Sequence, residues 1–519
     1  MSTLVTLGAG AIPDNPFIRL NGRDNVVVAR VSLPSGAEIE FEGRKITTRQ
    51  AVGAGHKVAI VEIPQGAIVY KYGENIGVAK ETIRAGELVH VHNLAFDIGE
   101  RVYEFSTALT DLPDIPLLAE NTFMGFPRAD GRVGTRNYIA VIGASNCSAF
   151  AVQKVEEAFK NESFEGTGID GVVSFPHDDG CGKAEGPDAR QLRRLLEGVA
   201  DHPNVAAAVM VGLGCEVNQV SYYTRPEAKS NGGPALRGFT LQESGGTRHA
   251  IADTVKAVRE MIAQAGKLER QRVSAAHLVA ALECGGSDAF SGITANPGVG
   301  YFSDLLVKQG GTACLSETTE AWGAEHLLTA RAVNRAVGEK MLAILDWYKR
   351  YVAGFEGAPS FDNNPSPGNK AGGLTNIAEK SLGAVAKGGT SNLTAVYEYA
   401  ERMTERGFVF MNTPGYDPPS VAGMAAGGAN VCLFTTGRGS CFGFPTVPVV
   451  KIASNSQTGK FMSEDMDINA GAVADGEETI PELGERMYRF VLEVASGRKT
   501  FSEQLGHREF VPWRIGPVL

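Results

Sequence analysis

The sequence predicts an α/β protein in which a small N-terminal all-β module precedes two α/β regions with mainly parallel sheets. Residues 15–97 consist of short β-type runs separated by Gly and Pro, with almost no helical periodicity. From about residue 122, apolar runs alternate with helix-period segments, which is typical of a parallel sheet with crossover helices. The length of 519 residues also exceeds what one hydrophobic core supports, so several domains are expected.

The all-β module is predicted at residues 15–97 and is followed by a linker at residues 98–121. The apolar runs of the module are short and end at turn residues, as strands do. Pro113 and Pro116 interrupt regular structure in the linker. The predicted strands of the module are 25–31, 56–62, 68–72, 78–79 and 88–92.

The two α/β regions are predicted at residues 122–270 and 271–519. The clearest helix is 188–199, where Leu192, Leu195, Leu196 and Val199 recur at helical spacing. Residues 222–248 are polar and Gly-rich and are predicted to form an irregular surface insert. The second region is predicted to contain a long helix at 334–352 and strands at 278–283, 312–316, 408–412, 431–435 and 449–453.

Four cysteines follow apolar runs at regular intervals. Cys147, Cys181 and Cys215 are each 34 residues apart, and Cys284 follows 69 residues later. About 30 residues make one strand–helix–strand unit, so the chain is predicted to return each time to the same end of one sheet. Ligands bind at that end of open parallel sheets. The four thiols therefore form a candidate site, although each alone could be a small buried residue.

The residue types around these thiols indicate a transition metal. His177 precedes Cys181 in the loop after one predicted strand, and thiolate with imidazole favours iron or zinc over magnesium. The chain has no CxxC pair, which disfavours a ferredoxin-type cluster and a zinc ribbon. The predicted metal ligands are Cys147, His177, Cys181, Cys215 and Cys284.

Loops at other positions carry candidate substrate ligands. Two prolines stiffen the segment 364–370, which ends in Asn369 and Lys370, so it is either a binding loop or an ordinary turn. Arg438 follows a predicted strand and could hold a carboxylate with two parallel hydrogen bonds. Arg136 could bind substrate or form a structural ion pair.

Polar residues near Cys284 and in the all-β module extend this set. Ser287 and Asp288 follow Cys284 at the end of the same predicted strand. His56 is a polar point in the module, where a histidine is more often structural than functional. His56, His177 and Lys370 are the candidates for a general base, and the sequence does not choose among them.

Composition excludes several classes of function. A net charge of −10 argues against nucleic-acid binding, and no run of about 18 apolar residues exists, so no membrane span is expected. No nucleotide-binding fingerprint is present, so no nucleotide cofactor is expected. Seven cysteines without a signal peptide indicate a cytoplasmic protein. The sequence leaves open whether the protein forms a homo-oligomer.

The longer motifs resemble those of the altronate/galactarate dehydratase family. The matching strings include HVHN (90–93), GLGCE (212–216), ECGGSDAFSGITANP (283–297), NPSPGNKAGG (364–373) and TTGRGS (435–440). The resemblance implies an N-terminal SAF (β-clip) domain. It also implies loss of water from a sugar acid such as altronate or galactarate, giving a 2-keto-3-deoxy acid. The implied cofactor is Fe²⁺ or another divalent metal such as Mn²⁺, either mononuclear or in a cluster.

Under this resemblance, Arg438, Lys370, Asn369, Arg136, Asp288 and Ser287 are expected to contact the sugar acid. The substrate stays open, because GRGSCFGF around Cys441 departs from the pattern associated with both named enzymes. Two other classes also stay open. One is a sulfo-lyase acting on a sulfonated hydroxy acid, and the other is a non-catalytic sugar-acid binding protein.

Overall fold

The computed structural model describes residues 15–111, 114–224, 235–355 and 363–516, and its N-terminal module consists of short antiparallel strands. The strands are β1 (Phe17–Ile18), β2 (Val26–Ala29), β3 (Glu38–Phe41), β4 (Arg44–Thr47), β5 (Lys57–Ala59), β6 (Ile68–Lys71), β7 (Glu74–Ala79), β8 (Leu88–Val89) and β9 (Leu94–Ala95). They form the sheets β1-β2-β5-β8 and β6-β7-β9 and the hairpin β3-β4. The described parts of 98–121 contain no helix or strand.

The middle region is built on a four-stranded parallel sheet with the order β13-β12-β14-β15. The same region also contains a small antiparallel sheet with the order β11-β10-β16. The strands are β10 (Thr122–Pro127), β11 (Val133–Gly134), β12 (Tyr138–Gly143), β13 (Gly171–Phe175), β14 (Val205–Gly212), β15 (Ala235–Thr240) and β16 (Gln271–Ser274). The helices are α1 (Ala149–Glu157), α2 (Pro187–Ala200), α3 (Ser221–Thr224) and α4 (Thr247–Ala265).

Two predictions for this region have different outcomes. The helix predicted at 188–199 is confirmed as α2, because the four apolar residues at helical spacing are all buried in the core. The irregular insert predicted at 222–248 is wrong for 235–240, which forms the edge strand β15 parallel to β14. Residues 225–234 of that insert lie outside the described residues.

The C-terminal region is built on a seven-stranded parallel sheet with the order β19-β20-β18-β17-β21-β22-β23. The strands are β17 (Val279–Cys284), β18 (Thr312–Leu315), β19 (Leu393–Tyr397), β20 (Gly407–Met411), β21 (Val431–Thr436), β22 (Val449–Ala453) and β23 (Ile468–Asn469). The helices are α5 (Ala295–Lys308), α6 (Glu325–Ala330), α7 (Arg335–Ala353), α8 (Pro367–Ala371), α9 (Ile377–Val385), α10 (Asp417–Ala426), α11 (Ser456–Phe461), α12 (Ala472–Asp475), α13 (Ile480–Ala495) and α14 (Phe501–Leu505).

Two helix layers separate the four-stranded sheet from the seven-stranded sheet. α2 covers β12 and β14, α10 covers β17, and the two helices pack against each other. The approach is close, since a Cβ built on Gly198 of α2 would lie 2.4 Å from the Ala426 carbonyl oxygen. One apolar core runs from the first sheet through both helices to the second sheet. The two sheets therefore present two separate carboxyl edges, meaning the edges at which their parallel strands end.

The predicted fold class is confirmed, because an antiparallel module precedes two regions with parallel sheets. Within the residues that the structure describes, no helix combines the length and the apolar character needed to cross a membrane.

Candidate active site

The candidate active site lies at the carboxyl edge of the seven-stranded sheet. β17 ends at Cys284, Glu317 follows β18, and Arg438 follows β21. Parallel strands end on the same side of their sheet, where open α/β folds bind ligands. A pocket of about 480 Å³ opens there. Its walls include Cys284, Glu320, Asn364, Asn369, Lys380 and Asp417.

Four carboxylates and two lysines gather at the base of this pocket, and we call them the acidic cluster. Lys387 Nζ lies 2.9 Å from Glu317 Oε2, and Lys380 donates to Glu320. Four acids against two lysines leave an excess of two negative charges when all six groups are ionised. The acidic cluster consists of Glu283, Glu317, Glu320, Asp417, Lys380 and Lys387.

The acidic cluster contains ligand atoms that are free to bind a cation. Glu283 Oε1 and Glu317 Oε1 are buried and have no hydrogen-bond partner among the described residues. Buried polar atoms are nearly always paired, so each unpaired oxygen needs an explanation. Ligand atoms of Glu283, Glu317 and Asp417 lie within 4.8 Å of one another, as do those of Cys284, Glu317 and Glu320. Carboxylate oxygens with one thiol fit Fe²⁺ or Mn²⁺.

The pKa values in the acidic cluster report the same excess of negative charge. Burial, followed by the charges of Glu317 and Asp417, raises the pKa of Glu283 well above its usual range. Burial and then the charges of Glu317 and Glu320 raise the pKa of Asp417 to about 7. Burial also opposes the charge of Glu320, but Lys380 and Lys387 lower its pKa. A bound cation would favour the ionised forms of Glu283 and Asp417.

The backbone at Glu317 is held in a conformation that side chains rarely adopt. Its φ angle is +63°, in the left-handed region. Thr413 stabilises this turn, since Thr413 Oγ1 accepts from the Glu317 amide at 2.8 Å and its carbonyl accepts from Thr318 at 3.0 Å. Such a conformation costs about 1–3 kcal/mol and is found mainly at functional sites. In this turn the Glu317 carboxylate lies between Cys284 and Lys387.

The structure brings Ser287, Asp288 and Asn369 together at the rim of the pocket. Asn369 Nδ2 donates to the Ser287 carbonyl at 2.7 Å, and the Ser287 hydroxyl is buried with no partner among the described residues. Asp288 is buried and accepts from Ser291, from Ser454 Oγ at 2.7 Å and from Asn455 Nδ2 at 3.0 Å. Asp288 therefore fixes the surrounding loops and Asn369 caps α8, where its Oδ1 accepts from the Ser366 amide at 3.1 Å, whereas the Ser287 hydroxyl has no such engagement.

Arg438 and Lys370 keep their charged groups available on either side of this rim. The Arg438 amide donates to the Gly286 carbonyl at 2.9 Å, which places this turn against the wall of the pocket. Its side chain is exposed, and the described residues offer it no ion pair or hydrogen bond. Lys370 is half-buried near the end of α8, next to Asn369, and its ammonium likewise has no described partner.

The N-terminal module docks beside Lys370 through histidines and a buried ion triad. His56 stacks on His90 with ring centroids 5.6 Å apart, and His90 Nε2 donates to the Lys370 carbonyl at 3.0 Å. Burial lowers the pKa of both histidines. Lys57 and Lys71 of the module both pair with Glu379 of α9 at 2.8–2.9 Å. His56 is thus near the pocket rim rather than at the acidic cluster.

Two predicted site residues have their polar groups occupied elsewhere. His177 Nε2 donates to the Gly143 carbonyl at 2.7 Å, and its Nδ1 accepts from the Asp179 amide at 3.2 Å. Both ring nitrogens are therefore used, which contradicts the predicted metal-ligand and general-base roles. Arg136 donates all five of its N–H groups to Glu503 and to the carbonyls of Thr135, Val494 and Arg498. The structural ion pair is the correct alternative for Arg136.

The four predicted thiol ligands do not meet at one place. Cys284 is buried in the acidic cluster, where its Sγ lies 3.2 Å from Glu317 Oε2. Cys147, Cys181 and Cys215 are exposed at the carboxyl edge of the four-stranded sheet, and we call them the thiol cluster. The prediction of one shared sheet is wrong, because Cys284 follows a strand of the other sheet, beyond α2 and α10.

Sequence reasoning missed most of the acidic cluster. The residues that the sequence predicts for the site do not include Glu317, Glu320, Lys380, Lys387 or Asp417. A usable signal for Lys380 was its helix, α9, in which every residue is buried although two are charged. Charges in a helix that is apolar on all sides must find buried partners.

Known proteins match this chain along almost its whole length. The SAF domain of altronate/galactarate dehydratase matches residues 15–97. The second domain of D-galactarate dehydratase/altronate hydrolase matches residues 125–266, and the C-terminal domain of D-galactarate/altronate dehydratase matches residues 275–518.

Individual relatives align with most or nearly all of this chain. Altronate dehydratase of Escherichia coli (strain K12) is 35% identical over 510 residues, covering 97% of this chain and 100% of the relative. Galactarate dehydratase (L-threo-forming) of the same strain is 36% identical over 521 residues, covering 97% and 96%. The (2R)-sulfolactate sulfo-lyase subunit beta of Chromohalobacter salexigens is 33% identical over 404 residues, covering 77% and 98%.

The fold and the site define a three-part α/β protein with a buried acidic cluster beside a pocket at a parallel-sheet edge. The chain belongs to the altronate/galactarate dehydratase family.

Proposed function

We propose that this chain is a dehydratase that uses a divalent metal to remove water from a sugar acid such as altronate or galactarate. The product would be a 2-keto-3-deoxy acid. The acidic cluster carries the proposal, since its two unpaired carboxylate oxygens and two excess negative charges adjoin a pocket of about 480 Å³. The names of the relatives support the class of reaction.

The chemistry explains why cations belong beside this pocket. The proton next to the substrate carboxylate is weakly acidic, because its loss produces a second negative charge. The site must therefore stabilise a dianion as that charge develops. Glu283, Cys284, Glu317 and Asp417 would hold Fe²⁺ or Mn²⁺. A metal bound there would act as a Lewis acid toward the substrate oxygens.

Residues of the chain itself would perform the remaining steps. Lys380 lies in the pocket wall, and although burial opposes its charge, Glu320 and its other acidic neighbours raise its pKa, so it stays cationic. It would stabilise the developing enolate rather than take the proton. Arg438 would hold the substrate carboxylate with two parallel hydrogen bonds. His56 and Lys370 at the docked module stay the candidates for the general base.

The test is a metal-dependent product assay with matched glutamate variants. Protein stripped with a chelator is reloaded anaerobically with Fe²⁺ or Mn²⁺ and incubated with aldonates and aldarates, and the 2-keto-3-deoxy acid is identified by mass spectrometry. We expect turnover only after reloading. Glu317→Gln should lose both metal and turnover. Glu325→Gln should keep both, because Glu325 is equally buried but bonds Tyr103 outside the cluster.

Two outcomes would overturn the proposal. One is full turnover in the stripped protein. The other is metal-loaded, folded protein that binds sugar acids without forming product, which would favour a binding protein.

A second candidate is elimination of sulfite from a sulfonated hydroxy acid. The relative named as a sulfo-lyase subunit supports it, because 98% of that subunit aligns with this chain. Both reactions begin by removing the proton next to a carboxylate and differ in the leaving group. Sulfite release from sulfolactate, measured in parallel with 2-keto-3-deoxy product from sugar acids, distinguishes the two.

A further inference from the structure

The thiol cluster (Cys147, Cys181 and Cys215) is held together by its own backbone. The three cysteines lie in the loops after β12, β13 and β14, which are neighbours in the four-stranded sheet. The Asn146 amide donates to the Asp179 carbonyl at 2.8 Å, which joins the first loop to the second. Asn218 joins the third loop to both others, donating to Gly180 at 3.2 Å and to Ala144 at 2.9 Å. The site is therefore organised before any ligand binds.

The thiols lie close enough to influence one another while remaining exposed to solvent. The pKa of Cys147 is raised first by partial desolvation and then by the charge of Cys181, with further contributions from a Cys147–Cys181 hydrogen bond, Glu216 and Cys215. All three side chains are exposed. Three accessible thiols at one sheet edge can release their protons on binding a shared metal ion and hold it together.

The buried carboxylates and the imidazole beside the thiol cluster are engaged elsewhere, so sulfur is the metal ligand that these groups leave available. Glu216 accepts from the amides of Leu213 and Gly214 at 3.0 and 2.6 Å. Asp179 pairs with Lys183 at 3.0 Å. His177 is occupied by the Gly143 carbonyl and the Asp179 amide. An all-thiolate set favours soft metals such as iron in iron–sulfur clusters, zinc or Cu(I).

The spacing of the three sulfurs distinguishes a site for a single metal ion from a site for a metal cluster. A tetrahedral ion with metal–sulfur bonds of about 2.3 Å requires all its sulfurs to lie about 3.8 Å apart. Among the described residues, the groups of three ligand atoms within 4.8 Å of one another both belong to the region of the acidic cluster. At least one pair of sulfurs in the thiol cluster is therefore more than 4.8 Å apart, which is wider than one tetrahedral ion requires. A multi-atom centre fits this spread.

We propose that Cys147, Cys181 and Cys215 bind an iron–sulfur cluster through three thiolates, leaving one iron without a protein ligand. The missing CxxC motif excludes a ferredoxin-type arrangement on one loop, but not a cluster held by three separate loops. Because α2 and α10 lie between the sheets, this centre is distinct from the acidic cluster and independent of the proposed dehydratase metal.

The test measures cluster assembly in the full-length protein. Wild type, Cys181→Ala and Cys441→Ala are treated anaerobically with iron, sulfide and dithiothreitol and then desalted. Iron and acid-labile sulfide are quantified together with visible absorption and circular dichroism. Cys441 is the matched control, because it is also exposed but lies near Lys451 of β22, in the other sheet. Wild type and Cys441→Ala should retain iron and labile sulfide in equal amounts, whereas folded Cys181→Ala should retain at least about tenfold less.

Three results would overturn the proposal. Wild-type protein could retain no labile sulfide, or Cys181→Ala could retain the wild-type amount. Alternatively, the wild type could bind one Zn²⁺ tightly while taking up no sulfide, which would assign the thiol cluster to a single ion. If Cys181→Ala does not fold, Cys215→Ala and Cys147→Ala provide the same comparison from the other two exposed loops.

Discussion

The two carboxyl edges of this molecule follow the same topology but contain opposite chemistry. At the seven-stranded sheet, carboxylates of the acidic cluster are buried or half-buried around Cys284. At the four-stranded sheet, Cys147, Cys181 and Cys215 are exposed. Buried carboxylates are stable only with counter-charges, which Lys380 and Lys387 supply in part. Exposed thiols need no such partners.

This difference shows that the position of a residue at a strand end does not by itself determine which metal or substrate that residue can bind. The parallel fold delivers polar side chains to both edges, but burial decides which ligand chemistry each edge can support. The acidic edge, with two excess negative charges, suits a small divalent cation. The thiol edge, which is open to solvent and more widely spaced, suits a larger sulfur-bound centre.

Lys380→Gln tests the acidic edge and is expected to cause the largest loss of kcat. The substitution removes the cation in the pocket wall while leaving the carboxylates that are proposed to hold the metal. Loss of one preorganised group that stabilises transition-state charge costs about 10²–10³-fold in kcat. Metal content, measured by elemental analysis, should not fall, because the excess negative charge increases.

Lys340→Gln is the control for this prediction, since Lys340 is a partly exposed lysine of the same region that pairs with Glu401. It should retain wild-type kinetics. Wild-type kcat in folded, metal-loaded Lys380→Gln would show that this lysine only balances charge.

Arg438→Lys is expected to have a smaller effect at the same edge. Lysine keeps the charge but cannot form two parallel hydrogen bonds with a carboxylate. A hydrogen bond to a charged group contributes about 1.5–3 kcal/mol, which corresponds to about one to two decades in kcat/KM. The fall should include kcat, because the substrate carboxylate gains charge as the proton leaves.

Arg335→Lys is the matched control for Arg438→Lys, because Arg335 is an exposed arginine whose partner is Glu339. Steady-state kinetics on the metal-loaded proteins would check the prediction. If Arg438→Lys and Arg335→Lys both behaved like wild type, Arg438 would have no role in binding the substrate.

The sequence was sufficient for the fold because local patterns determine its elements. Helical spacing of leucines predicted α2, and alternating runs predicted both parallel sheets. β15 was missed because its six residues, Ala-Leu-Arg-Gly-Phe-Thr, contain a glycine and an arginine and pair only through the neighbouring strand β14. Strand pairing over long sequence distances leaves no such local pattern.

The candidate site could be predicted only in part, for the same reason. The rule that polar residues collect at strand ends correctly located Cys284 and Arg438 near one edge. It could not tell which strands share a sheet, so Cys284 was grouped with the thiol cluster. Lys387 lies 70 residues from its partner Glu317, and no local pattern reveals a pair formed at that distance.

The last expected effect concerns stability rather than catalysis, at the contact between the two regions. His202 precedes β14 and donates from Nε2 to the Ala429 carbonyl, which follows α10, at 2.8 Å. Burial lowers its pKa to about 3, against an ordinary value of 6.5. Between these values the unfolded chain binds more protons than the folded chain, so stability rises with pH.

This histidine should therefore make no pH-dependent contribution above pH 6.5 and should reduce the stability increasingly as the pH falls toward 3. The slope approaches about 1.4 kcal/mol per pH unit. Urea unfolding at pH 7 and at lower pH would check this, with His202→Gln showing a shallower dependence. An equal slope in wild type and His202→Gln would contradict the assignment.

The central claim is that a divalent metal binds at the acidic cluster and not at the thiol cluster. The most direct measurement is an anomalous difference map from crystals of the full chain loaded with Mn²⁺. We predict one strong peak between Glu283, Glu317 and Asp417, with none beside Cys147, Cys181 or Cys215. A peak at the thiols alone, or the absence of a peak at the acidic cluster in metal-saturated crystals, would contradict the account.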